Sequence, residues 1–325
     1  MKTGFRHSAF GSQQFAAAAV IVAAMFSTAV AQVLEEAPSS DRIKYGPPDT
    51  IRIRVGAEIT ASRGAARNVV LMTAAPLDCP EQRVTILSED ISGDVGSVDY
   101  RPVAGGEVKL MVISIPRLAS GATAKVTVDF EVTTRPILPP EKTDDLVIPK
   151  RPPRPVRPYL GGSPFIETKH QKIRALAKEV WSEIDESATD WERVEAIYDF
   201  VLERVEYVEG PDKGALDALR DEQADCQGRS MLFIALCRAN NIPARLVWVE
   251  GHAYPEFYLE DADGKGYWFP CESAGTRAFG EMPLARTILQ KGDNFRVPER
   301  PKDRLRYASD FMIGLPIGNA GDPKA

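Results

Sequence analysis

"DCQGRSMLFIALCRANNIPARL", Asp225 to Leu246, decides how this chain is read. Its centre, Met231 to Cys237, is seven hydrophobic residues in a row. A helix that is apolar all round lies inside a domain, not on its surface. Asp225 is a natural N-cap, so the helix opens on Cys226. There the helix dipole and the unpaired N–H groups favour a thiolate and suit an oxyanion. The Asp225 charge works against the thiolate, so the dipole does not suffice and an imidazole is needed. Asn240 and Asn241 can take the left-handed conformation that ends a helix, and Pro243 blocks its continuation.

Imidazoles are scarce: the chain has three histidines. His7 lies near the start and His170 opens an amphipathic helix. His252 follows Gly251 and begins the strand "HAYPEFYLE", where it can face Cys226. A third group would orient its ring through the other nitrogen. Glu272, in "WFPCES", is one candidate. Glu256, on the His252 face of an extended strand, is another. Asp261 and Asp263 read as turn residues. Cys237 reads as core, and Cys271 should point away from the Glu272 side.

Upstream of the quoted stretch, "HQKIRALAKEVWSEI" carries Ile173, Leu176, Ala177, Val180 and Ile184 on one stripe. "TDWE" is a capping box, Thr189 to Glu192. It starts a helix with Val194, Ile197, Tyr198, Val201, Leu202 and Val205 on its face. Glu206 to Ala224 reads as a loop. Downstream, "ARLVWVE", "AYPEFYLE" and "GYWFPCES" read as three strands, the last two joined by the "DADGKG" hairpin turn. Helices, then a central helix, then antiparallel strands make an α+β domain.

The N-terminal half is β-rich. "TIRIRVGAEIT" and "AKVTVDFEVTTR" alternate apolar and polar residues, and "NVVLM", "RVTIL" and "VKLMVISI" lie between them. Short strands at this spacing predict an antiparallel sandwich over residues 45–135. It holds no catalytic cluster and reads as structural or docking. Residues 136–158 contain eight prolines and read as an extended connector. The second domain then covers residues 159–307, and residues 308–325 read as a tail.

The first 31 residues read as a leader. Lys2, Arg6 and His7 precede the apolar run Phe15 to Phe26, and "AVA" ends at Ala31. This predicts an exported protein, periplasmic or secreted, whose mature form has no membrane span. The 40 basic and 46 acidic residues give a net charge of −6, which disfavours non-specific nucleic-acid binding. Four cysteines in an exported chain invite disulfides. Cys226 and Cys237 would stand on the order of 16 Å apart along one helix, too far to bridge. Cys79 with Cys271 stays open. No CxxC zinc or redox pattern occurs.

Three separated motifs, "DCQGRSMLFIALCRANNIPAR", "GHAYPEFYL" and "YWFPCES", stand in an order and at separations that resemble the transglutaminase-like superfamily, whose site logic is that of papain. The likeness runs from about Tyr159 to Tyr307. It implies a papain-like cysteine proteinase fold behind the all-β domain. It also implies Cys226 as nucleophile, His252 as general base and acid, and Glu272 where the family has Asp. Tyr254 stands where the family has Trp. An aromatic or amide side chain often assists the oxyanion in such sites, and Gln223 is the candidate here. The implied activity is acyl transfer from peptide or protein amides through a thioester, resolved by water or by an amine, without cofactor or metal. The expected export, rather than the resemblance, favours peptide or cell-envelope amides as substrates. The alternative is a binding or scaffolding protein of the cell envelope that kept the fold and lost turnover.

Overall fold

The structure, a computed structural model, describes residues 42–318 and, ahead of them, the strand Ala23–Met25. Apart from those three residues, the leader read at 1–31 lies outside the described residues. Among the described residues no helix is long and apolar enough to cross a membrane.

The alternating segments form two packed sheets. In one, β1 (Asp49–Thr60) pairs along its whole length with β6 (Thr123–Thr134), and β6 pairs with β3 (Gln82–Ile91). The other contains β2 (Ala66–Ala74), β4 (Ser97–Val103) and β5 (Val108–Leu118). Period-two alternation points Ile53, Val55 and Ile59 of β1 and Val126, Val128 and Phe130 of β6 inward. They meet Leu71 of β2 and Met111, Ile113 and Ile115 of β5. The arginines between them face out, and Arg54 bonds Asp129 on β6 at 2.6 and 3.0 Å.

The second half packs around one helix. α1 (Gln171–Glu183), α2 (Asp190–Arg204) and α3 (Ala215–Asp221) surround α4 (Cys226–Ala239). The capping box at Thr189 and Glu192 closes both ways. Every residue from Met231 to Cys237 is at most 1% exposed. At about 1.5–3 kcal/mol per buried Leu, Ile, Phe or Met, this run anchors the domain. Asn241 takes a φ of 62° as the helix stops. β7 (Ala244–Val249), β8 (His252–Glu260) and β9 (Gly266–Pro270) then form antiparallel pairs against α4. The segment read as a loop holds α3. It also holds a short parallel pair, Glu206–Tyr207 with Gln223–Ala224.

The halves are not two beads on a string. β10 (Ile288–Lys291) pairs with β7 and touches β5 at Gln290 and Val108. β11 (Phe311–Pro316), within the stretch read as a tail, returns to pair with β2. One eight-stranded sheet therefore runs β9-β8-β7-β10-β5-β2-β11, with β4 on β5. This explains the apolar run Leu110 to Ile113 in β5. Met111, Ile113 and Ile115 fill the sandwich, while Val108, Leu110 and Val112 meet Phe295 and Val297 on the other face. The proline-rich connector is pinned rather than free. Ile137 and Met282 exchange backbone hydrogen bonds at 3.0 and 2.9 Å, and Val147 and Glu260 do so at 2.8 and 2.9 Å.

Candidate active site

The position of Cys226 is set by the first turn of α4. The Asp225 carboxylate accepts the Gly228 N–H at 2.9 Å, placing Cys226 first in the helix and half-buried. Burial raises the Asp225 pKa above its ordinary value, which weakens its opposition to a neighbouring thiolate. The Cys226 carbonyl accepts the hydroxyls of Ser230 at 2.6 Å and Ser273 at 3.0 Å. Arg229, one turn on, donates to the carbonyls of Val205 at 2.7 Å, Leu202 at 3.2 Å and Ser273 at 3.2 Å. The mouth of the helix is thus fastened to the end of α2 and to the chain after Glu272.

His252 is placed by a two-residue turn. Val249 and His252 are register partners, and Gly251 between them takes a φ of 68°, which favours glycine. The imidazole opens β8 at the mouth of α4. Its Nε2 lies 2.9 Å from Glu272 Oε1, with the two side chains 8% and 5% exposed. Burial opposes a charge on this ring. Hydrogen bonds to Cys226 and Glu272, and their negative charges, outweigh it and push the pKa up to about 9. With Nε2 engaged by Glu272, Nδ1 is the nitrogen left to face the thiol. Glu272 Oε1 also accepts the Ala274 N–H at 2.8 Å, which holds the carboxylate in place.

Cys226, His252 and Glu272 therefore meet, although the sequence separates them. Gln223 does not turn inward. It is exposed, and its amide donates to Glu206 at 2.9 Å across the short parallel pair. Glu256, the rival orienter, is fully buried elsewhere. It pairs with Arg245 at 2.7 Å and Lys291 at 3.0 Å. Cys237 and Cys271 lie in the core around α4, and His170 caps α1 by accepting the Lys172 N–H at 3.2 Å. All four cysteines are free thiols, and Cys79 packs in a different apolar cluster from Cys271. Tyr207, exposed beside the site, is one of the neighbours that sequence reasoning missed, with Arg229 and Ser273. Its ring lies 5.8 Å from the Arg229 guanidinium. Burial, then the charges of Cys226, Glu209, Asp225 and Glu272, raise its pKa. Nothing in "RVEYVEG" marks it, because the pairing that fixes it is with residues 223–224.

Residues 174–273, which include all three site residues, match the transglutaminase-like superfamily. A "putative cysteine protease" from Cytophaga hutchinsonii has a similar solved structure. It has a TM-score of 0.55 and 18% identity over 84% of this chain and 91% of that one. A "putative protease" from Parabacteroides distasonis aligns with a TM-score of 0.26 and 12% identity over 74% of this chain and 72% of that one. No curated protein matches the chain.

Proposed function

From a chain that carries a transglutaminase-like superfamily domain, we propose a cysteine-dependent acyl-transfer enzyme acting on peptide or protein amides. The observation that carries this is the run from Cys226 through His252 to Glu272. His252 takes the proton of the Cys226 thiol, and Glu272 holds the imidazolium that forms. The thiolate attacks the amide carbonyl. The carbonyl oxygen becomes an oxyanion at the helix start, where the Cys226 N–H has no partner within the helix. As the C–N bond breaks, His252 gives its proton to the leaving ammonia or amine. A thioester remains on Cys226. Water or a second amine attacks it, His252 takes the attacker's proton, and expulsion of the thiolate restores the pair. Water makes the reaction a hydrolysis and an amine makes it a cross-link. The leader read at residues 1–31 directs the substrate search to exported and cell-envelope amides.

The test is alkylation of Cys226 by iodoacetamide across pH, read by mass spectrometry, in wild type and His252→Ala. Fast labelling well below about pH 8.5, where an ordinary thiol titrates, and lost in His252→Ala, is the expected result. An ordinary thiol profile indifferent to His252 would overturn the reading and leave a binding protein on this fold.

A further inference from the structure

Helix α2 grips the loop after Glu272 at two points. Inside, Tyr198 is 1% exposed. Its hydroxyl donates to the Glu272 carbonyl at 2.6 Å and accepts the Ala278 N–H at 3.2 Å. The Glu272 N–H in turn donates to the Ala278 carbonyl at 2.9 Å. One phenol therefore closes both ends of the loop. Outside, Arg277 donates to Asp199 at 2.7 and 2.9 Å and to Glu195 at 2.6 Å. Its guanidinium lies 5.5 Å from the centre of the Tyr198 ring. Glu195, Tyr198 and Asp199 stand three and four residues apart, so one face of α2 supplies the whole grip.

The grip bears on the site because a glutamate has several rotatable bonds. Where its carboxylate arrives depends on the direction in which its backbone is set. Here the backbone on both sides of the Glu272 side chain is fixed. The Tyr198 hydroxyl holds its carbonyl, Ala278 holds its N–H, and Ser273 is tied to the first turn of α4. The ionisable groups facing His252 are Cys226 from α4 and Glu272 from this loop. Arg229, Tyr207 and Asp225 lie around them.

We propose that Tyr198 and Arg277 are positioning residues that act through the backbone of the Glu272–Ala278 loop and aim the Glu272 carboxylate at His252. The inference rests on the proposed function and deepens it.

Tyr198→Phe keeps the ring and removes both hydrogen bonds of the hydroxyl. Two readouts on the purified full chain test it: NMR titration of the His252 imidazole, and the pH profile of Cys226 alkylation by iodoacetamide. The His252 midpoint is expected to fall by about one unit, and the alkylation profile to move with it. In a Glu272→Gln background the same substitution should move neither further. Arg277→Gln changes a surface side chain and should give a smaller shift in the same direction. It carries the test if Tyr198→Phe does not fold. An unchanged profile in both variants overturns the inference, as does a shift equally large without the Glu272 carboxylate. These failures are distinct from that of the proposed function. If wild-type Cys226 is indifferent to His252→Ala, both fall. If wild type depends on His252 and the two variants match it, only the positioning role falls.

Discussion

Glu272 reaches His252 at 2.9 Å across 20 residues of chain, and the same carboxylate oxygen accepts the Ala274 N–H at 2.8 Å. The acceptor is thereby committed to one nitrogen of the ring. Glu272→Gln keeps the shape and removes the charge. It is expected to lower the His252 midpoint and to slow Cys226 alkylation at pH 6 by about tenfold. Glu272→Asp keeps the charge but draws it back by roughly an ångström, and its rate should fall between the two. Stopped-time alkylation read by mass spectrometry checks both. Equal rates in all three proteins would remove Glu272 from the relay.

The raised His252 pKa also has a sign in stability. The ring binds its proton more tightly when folded, at about 9 against an ordinary 6.5. The stability it contributes is complete below about pH 6.5 and fades as pH rises through about 9. Wild type should therefore lose its advantage over His252→Asn across that window, by on the order of 1–3 kcal/mol. Urea denaturation of both proteins at pH 6 and pH 9.5 measures it. A constant difference would mean that the imidazole is not held as a cation.

Much of this was legible in the residues. The unbroken apolar run of α4 located the centre of the second domain, and the Asp225 cap put Cys226 at its mouth. Period-two alternation gave the sandwich and the Val249–Gly251–His252 corner its strands. What the sequence hid was long-range. Ile288–Lys291 is four residues long, too short to show a period, yet it welds the sandwich to the second domain. Glu256 alternates onto the face predicted for it, but two buried cations claim its carboxylate. Gln223 is near Cys226 in sequence only, because its short strand turns its side chain out to Glu206. In each case a partner far along the chain decides the outcome, and local pattern does not record partners.

The weld itself is a chain of charges, buried except at Glu107. Lys291 lies between Glu81, from the sandwich half, and Glu256 at 3.0 Å. Arg245 joins Glu256 at 2.7 Å to Glu107 at 3.0 Å and sits 4.1 Å from the Trp268 ring centre. Burial opposes the Lys291 charge, but the two carboxylates more than restore it and raise its pKa. Beside it, the Gln82 amide bonds both the N–H and the carbonyl of Ile288, at 2.6 and 2.7 Å. Lys291→Met would leave the buried Glu81 carboxylate without its cation, while Glu256 keeps Arg245. A loss of about 3–5 kcal/mol is expected in a denaturant melt. A loss below 1 kcal/mol would show that water reaches the junction.

The last prediction concerns the turn that carries Cys226. A Cβ on Gly228 would stand 2.6 Å from the Ala224 Cβ, with the Lys213 and Ala218 Cβ atoms at 3.3 and 3.5 Å. The Ala224 methyl is the end of a rigid stub, so the backbone must move instead of a side chain. Gly228 N–H is also the donor that the Asp225 cap accepts. Gly228→Ala should therefore push the first turn of α4 away from the segment that precedes it, at a cost of about 1–3 kcal/mol. Cys226 moves with that turn, so its His252-dependent alkylation should slow as well. Ala224→Gly removes the opposing methyl. In the double variant the steric part of both losses should be recovered, while the flexibility of the new glycine keeps stability below wild type. Thermal melts and alkylation rates of the four proteins in this cycle measure the coupling. Additive losses would show that the two methyl positions do not meet, and that the close packing of Gly228 on Ala224 is not what sets the position of the thiol.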